Sequence, residues 1–413
     1  MDPDPLSLRI PAEIVYLILS ELYEKTDLLN SRLISKMFMQ VASPLGFRRL
    51  TLSRAPESLA GIARISDSPL AKLVSEVVLE EVEFPLKMVP LDQPSSDDPF
   101  RVGMALYIPK FHNLTTLIFS FPDFWEFENN FTPPGRNDQG SRSAFESDIT
   151  ASNLALHQQE RFFHMLGRCN PDLIPPTMNT IVIHNLMSFW SVHFDIDKLR
   201  PFLASLTNFK VDIQIVPDLR LEELFQHPPR EHDPQFIPFW REFDLLLDAA
   251  CNLTSLSLTS DADAYNTWGS VNIFPRLQNL SLNGFLFAYS YLDGDVVLRT
   301  CCLETFIILH HNTLQHLLLS DCFIDIMAEF RSWAEIFREF ERNLGKLRSF
   351  DFQLSNGNGY ATMSMEEPGG HYINANATNE PNFADTNMSE EEIKKADKLA
   401  LLSLQNAIKS RNE

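Results

Sequence analysis

Cysteine is scarce in this chain. Its 413 residues hold five: Cys169, Cys251, Cys301, Cys302 and Cys322. An odd set with one adjacent pair suits neither a disulfide framework nor C-x-x-C metal spacing. Reduced thiols in a cytoplasmic or nuclear protein are the expectation. Positive charge is short as well. Thirty-four Lys and Arg stand against 55 Asp and Glu, a formal charge of −21. Nucleic acids demand a basic footprint that releases counterions, and anionic membranes attract the same sign, so neither is an expected partner. Long apolar runs are missing. The first, Ile14 to Leu19, is far too short to span a bilayer. The opening MDPDPLSLRIPAE has neither the basic nor the apolar region of a signal peptide.

Catalytic signatures are missing too. The chain has no G-x-S-x-G, no H-E-x-x-H and no G-x-x-x-x-G-K-[ST]. Gly357-Asn358-Gly359 begins a dinucleotide-like string without its third glycine. His310, His311, His316 and Cys322 lie close in sequence, but adjacent histidines on a strand point apart. Asp123, Glu126 and Glu128 among Phe124, Trp125 and Phe127 read as surface acids around aromatics. No catalytic residue, cofactor or metal is therefore expected, and the chain reads as a non-enzyme.

What is present is aliphatic pattern. Hydrophobic residues make up 44% of the chain and charged residues 22%, a globular balance with material for a large core. Four regions separate. Residues 6–52 are helical in pattern, 53–354 are leucine-rich, 355–387 read as a disordered linker, and 388–413 read as a helix. Residues 90–99 and 129–153 read as surface insertions without hydrophobic period. In the last region Ser389 and Glu392 have the spacing of a capping box. Ile393, Ala396, Ala400, Leu401, Leu404 and Ile408 follow as an apolar stripe. That stripe serves either packing onto the body or docking to a partner.

The first region predicts three short helices. Pro11 opens a run with Ile14, Leu17, Ile18 and Leu22 on one stripe, Thr26-Asp27 offers a new N-cap, and a third segment with Phe38 and Val41 ends before Pro44. So small a unit cannot bury all of these side chains by itself. The string from Ile10 to Ala42 resembles an F-box. The residues that carry the resemblance are Ile10-Pro11, Glu13-Ile14, Ile18-Leu19, Asp27-Leu28-Leu29, Arg32-Leu33-Ile34-Ser35-Lys36 and Phe38, with Phe38 where many members have Trp. The resemblance implies docking to the Skp-type adaptor and cullin core of an SCF ubiquitin ligase. It implies an interface at Ile10, Pro11, Ile14, Leu17, Ile18, Leu28, Leu29, Leu33 and Phe38. Residues 1–54 carry a net charge of +1, so the acidity lies in the rest.

In the second region the pattern L-x-x-L-x-L returns. It starts at Leu114, Met178, Leu206, Leu253, Leu277, Leu314 and Leu347, with a weaker copy at Val74. Leu314, Leu317, Leu319, Cys322 and Ile324 complete a leucine-rich-repeat signature. Start-to-start spacings of 24 to 64 residues are long and uneven. Outer helices are predicted at 154–168, 239–251, 296–310 and 326–342. The alternation implies an α/β fold with a curved parallel sheet, an irregular solenoid behind a helical N-terminus. Phe124, Trp125, Phe189, Trp190, Tyr265, Trp268, Tyr289 and Tyr291 are placed in loops, where they would suit partner recognition as a group, although core or rim packing is the better reading of any one of them. The run around His310–Cys322 resembles fungal F-box proteins with degenerate leucine-rich repeats. That implies a substrate-recognition adaptor holding an unknown protein substrate. The alternative is an interaction scaffold unconnected to ubiquitination, its helical module a cap.

Overall fold

The computed structural model describes residues 10–22, 24–81, 98–126, 154–155, 158–161, 163, 174–188, 196–214, 239–261, 272–293, 296–300, 302–325, 331–355, 360–361 and 389–413. The fold is mixed α/β with a large parallel sheet of nine strands. The chain divides into two compact units. One holds residues 1–122 and 168–183, the other 123–167 and 184–413.

The first unit opens with α1 (Ala12–Ser20), α2 (Lys25–Ser31) and α3 (Lys36–Arg48). It continues through β1 (Arg49–Ser53), α4 (Pro56–Ser66), β2 (Glu76–Glu80), α5 (Pro99–Val102) and β3 (Thr116–Ser120). Strand β4 (Thr180–Met187) carries the chain across the boundary. The second unit has α6 (Ile196–Leu203), β5 (Asn208–Gln214), α7 (Phe239–Ala249), β6 (Ser255–Ser260) and β7 (Asn279–Asn283). Then come β8 (Leu286–Asp293), β9 (Val296–Thr300), α8 (Cys302–Leu309), β10 (His316–Ser320) and β11 (Phe323–Asp325). It ends with α9 (Trp333–Asn343), β12 (Ser349–Gln353), β13 (Tyr360–Ala361) and α10 (Glu390–Asn412). The large sheet runs β1-β2-β3-β4-β5-β6-β7-β10-β12, and a second sheet runs β13-β11-β8-β9.

Every leucine-pattern segment is a strand of the large sheet, and the pattern sets the register. Val77 and Leu79 face Leu117 and Phe119. Phe209 and Val211 face Leu256 and Leu258, which face Leu280 and Leu282. Those face Leu317 and Leu319, which face Phe350 and Phe352. Alternate side chains of a strand share a face, so nearly all of these leucines and their equivalents enter the core, with Phe352 only half-buried. The first residue of each pattern lies just before its strand and is buried in all eight copies: Val74, Leu114, Met178, Leu206, Leu253, Leu277, Leu314 and Leu347. The residue after it closes a recurring backbone bond. Thr115 donates to Ser75, Asn179 to Thr115, Thr254 to Thr207, Gln278 to Thr254, Gln315 to Gln278 and Arg348 to Gln315.

Several expectations need correction. Residues 49–53 belong to the sheet as β1, paired in parallel with β2, so the sheet begins inside the segment assigned to the helical module. Its Arg-Leu-Thr-Leu-Ser has only two apolar residues and was hidden behind the helices. Helix α3 runs through Pro44 and does not stop before it. Pro44 is exposed and has no N–H to give the helix, and Ser43 Oγ donates to the Met39 carbonyl nearby. Helix α2 starts at Lys25 with Glu24 before it and no side-chain cap, not at Thr26-Asp27. Val296–Thr300, read as the start of a helix, is β9, antiparallel to β8, and only 302–309 is helical. Tyr289 and Tyr291, placed in loops, lie within β8. In the segment read as a linker, Tyr360–Ala361 pair with β11. Residues 356–359 and 362–387, and the insertions at 90–97 and 129–153, lie outside the described residues.

The free edge of β1 is closed by side chains. Lys25 Nζ donates to the Arg49 carbonyl at 2.9 Å, and Ser58 Oγ donates to the Thr51 carbonyl and accepts from Ser53 N–H. Blocking an edge this way suppresses strand addition. Burial and the neighbouring Arg49 push the Lys25 amine below its ordinary range.

Candidate functional site

In the described N-terminal helices the apolar side chains outnumber the places inside. The module's core is small: Val15, Leu19, Leu28 and Ala42, with Ile10, Met37, Phe38, Val41 and Leu45 packed against it. Helix α1 reads Ala-Glu-Ile-Val-Tyr-Leu-Ile-Leu-Ser and is apolar almost all round. A helix of that kind is ordinarily enclosed on every side. Here only Val15 and Leu19 are enclosed. The stripe of Ile14, Leu17, Ile18 and Leu22 is exposed.

The surface that results is concentrated. Of the 14 large hydrophobic side chains exposed among the described residues, eight fall between residues 14 and 39: Ile14, Tyr16, Leu17, Ile18, Leu22, Leu33, Ile34 and Met39. Leu33 is 86% exposed and Leu17 is 59% exposed. A shallow groove of about 570 Å³ runs between α1 and α3, lined by Ala12, Glu13, Tyr16, Leu17, Gln40, Val41 and Pro44. Glu13 is the one carboxylate in its lining. Large exposed apolar surface is a mark of protein docking.

The nine residues assigned to the interface therefore divide. Pro11, Ile14, Leu17, Ile18 and Leu33 are exposed. Leu28 is 8% exposed and belongs to the module's core, which corrects its assignment as a surface contact. Ile10 and Phe38 are half-buried against the same core. Leu29 is half-buried where α2 meets α3, and a Cβ on Gly46 would lie 2.9 Å from its Cδ2. The residues between α2 and α3 are fixed by polar links. Ser35 caps α3 by accepting from the Phe38 N–H, and Arg32 Nε donates to Ser43 Oγ while its guanidinium lies 4.8 Å from the Phe47 ring centre. These links hold the turn that presents Leu33 and Ile34.

Other groups singled out in the sequence do not gather into a site. His310 is buried, with Nε2 accepting from the Phe274 N–H at 2.9 Å and Nδ1 against the Phe306 carbonyl at 2.7 Å. Burial lowers its pKa, so the ring is neutral and structural. Cys322 is buried, donates to the Leu282 carbonyl, and its thiol is pushed up to about 12 by burial. His316 is exposed and meets Ser349 Oγ. Asp123 accepts from the Glu126 N–H. Phe124 is buried, and Trp125 donates to Asp261 at 3.0 Å. Phe189, Trp190, Tyr265 and Trp268 lie outside the described residues, as does Glu128. Among the described residues no cluster of three or more His, Cys, Asp or Glu could hold a metal, and no helix is long and apolar enough to cross a membrane.

Sequence reading missed three largely buried ion pairs in two groups, because their members lie 27 or more residues apart. Arg54 donates to Glu81 at 2.8 Å and to Asp98 at 2.8 Å, and its guanidinium lies 4.8 Å from the Phe100 ring centre. Burial opposes the charge on Asp98, but Arg54 and two backbone N–H groups outweigh it and lower the pKa. Glu304 on α8 accepts from Arg331 at 2.7 Å, while its Oε2 and Arg331 Nε find no partner among the described residues. Burial, reinforced by Glu339 and Glu335, pushes the Glu304 carboxyl up to about 7. No known protein-family profile matches the chain, and no curated protein is significantly similar to it in sequence.

Proposed function

We propose that this chain is the substrate-recognition adaptor of an SCF-type ubiquitin ligase. In this reading residues 10–48 are an F-box that docks on a Skp-type adaptor, which links it to the cullin core. The strand-and-helix body is an irregular leucine-rich-repeat solenoid that holds a substrate protein. The chain itself does no bond chemistry; it raises the local concentration of substrate beside the ubiquitin-charged enzyme. The observation that carries the reading is the apolar surface of α1 and the α2–α3 turn, left open where the resemblance to the F-box lies. The repeating backbone bonds and the leucine register support the solenoid part. Cytoplasm and nucleus are the compartments in which such an adaptor acts.

The second reading, a scaffold whose helical module merely caps the sheet, draws on the Lys25–Arg49 bond and on α3 leading straight into β1. A cap would set Leu17, Leu28 and Leu29 against the body; Leu17 is exposed, Leu28 is buried in the module's own core, and Leu29 is half-buried where α2 meets α3. The experiment is co-purification with a Skp-type adaptor, comparing wild type with Leu17→Asp and Leu33→Asp. Enclosing an aliphatic side chain contributes about 1.5–3 kcal/mol, so losing either contact weakens binding at least tenfold. Both variants should stay folded, since neither side chain is in the core. Unchanged binding in both would overturn the proposal.

A further inference from the structure

The C-terminal helix α10 lies along α9 in the same direction, and its main neighbours among the described elements are α9 and β12. Its apolar contribution is narrow: Ile393, Ala400, Leu404 and Ile408 are buried. Its polar contacts go to the ends of α9. At the start, Asp397 accepts from the Ala334 N–H at 2.7 Å. At the end, Arg411 donates to the carbonyls of Leu344 and Glu341 at 2.8 and 2.9 Å, and Asn412 donates to the Arg348 carbonyl at 2.8 Å. Midway, Ser403 donates to Glu341 at 3.2 Å. Carboxylate at the N-terminus and guanidinium at the C-terminus complement the dipole of α9. Asp397 and Arg411 are 14 residues apart, about 21 Å along a helix, enough to bracket the 11 residues of α9.

Helix α10 is also built to stand without this support. Ser389 and Glu392 close a complete capping box. Glu390 and Glu391 precede Lys394 and Lys395 by four residues, the favourable order for helix pairs. Lys409 and Arg411 lie in its last turn. At 23 residues it exceeds the length at which an isolated helix becomes marginal. Leu399 and Leu402 of the same helix are exposed.

We propose that α9 and β12 form a helix-docking groove, and that this chain fills it with its own α10 as a releasable cap. The groove selects a helix with a narrow apolar stripe, a carboxylate near its start and a guanidinium 14 residues later. Release leaves α10 helical and uncovers the groove, while strands β5 to β7 remain folded.

Hydrogen exchange on the full-length chain tests this. The α10 amides should exchange through an opening that leaves β6 and β7 protected. Asp397→Ala with Arg411→Ala should speed exchange in α10 by roughly tenfold, the equivalent of about 1.4 kcal/mol, with β6 and β7 unchanged. A labelled peptide of residues 389–413, mixed with the intact double variant, should be taken up, and the same peptide bearing Leu404→Asp should not. Exchange of α10 in step with β6 and β7 in both proteins would overturn the proposal, as would failure of the unaltered peptide to bind.

Discussion

Replacing Glu304 with Gln isolates one unfavourable charge. The carboxyl is 3% exposed, one oxygen and Arg331 Nε lack partners among the described residues, and its pKa is raised to about 7 from an ordinary 4.5. Arg331 favours the charged form, but burial with Glu335 and Glu339 outweighs it. Above pH 4.5 the unfolded chain has released this proton while the folded chain keeps it. Stability from this group is therefore full below pH 4.5 and falls as pH rises through 7. The loss approaches 1.4 kcal/mol per pH unit, about 3 kcal/mol in all. Gln keeps the shape and an acceptor for Arg331 but cannot ionise. Urea unfolding at pH 5, 6, 7 and 8 should show the wild type losing ground to Glu304→Gln as pH rises. At pH 8 the variant should be more stable by about 1–2 kcal/mol, the remainder being offset by the weaker bond to Arg331. A difference between the two proteins that does not change from pH 5 to pH 8 would refute the reasoning.

Other outcomes follow from single contacts. Arg54→Ala leaves Glu81 and Asp98 buried without their cation and should cost about 2–4 kcal/mol in denaturant unfolding, discounted because Arg54 is one-third exposed. Leu28→Ala should destabilise the helical module by about 2–4 kcal/mol, whereas Leu33→Ala should change its stability by less than about 0.5 kcal/mol. A thiol reagent at neutral pH should label exposed Cys251 promptly and buried Cys322 only after unfolding, read by mass spectrometry of peptides.

The large sheet was legible because each strand carries one message twice. Leu256 and Leu258 alternate to one face, and Leu253 marks the turn before them, so the spacing encodes both strand and entry. Where the message is ambiguous the reading failed. Val296–Thr300 is apolar without alternation and was taken for a helix. Arg49–Ser53 is short and follows three helices without a break, so its pairing with β2 is visible only in three dimensions. The C-terminal helix was legible to its cap, since Ser389 and Glu392 state it locally. What α10 packs on was not, because Asp397 and Ala334 are 63 residues apart.

The exposed apolar surface was legible in part: Ile14, Leu17, Ile18 and Leu33, expected at an interface, are exposed, while Leu28, expected there too, is buried. Apolar residues fill nearly every position of α1, so period alone cannot choose between Ile14-Leu17-Ile18 and Val15-Leu19 as the inner face. Packing decides. The Leu28 and Ala42 side chains meet Val15 and Leu19, and the other stripe is left exposed. That placement also sorts the mutations, since changing Leu28 perturbs folding and changing Leu17 or Leu33 does not.

The most direct test is titration of the full-length chain with a purified Skp-type adaptor, beside Leu33→Asp and Leu17→Asp variants shown by circular dichroism to be folded. The account predicts a one-to-one complex with wild type and a dissociation constant raised at least tenfold in each variant. No complex with wild type, or equal affinity in all three, would contradict it.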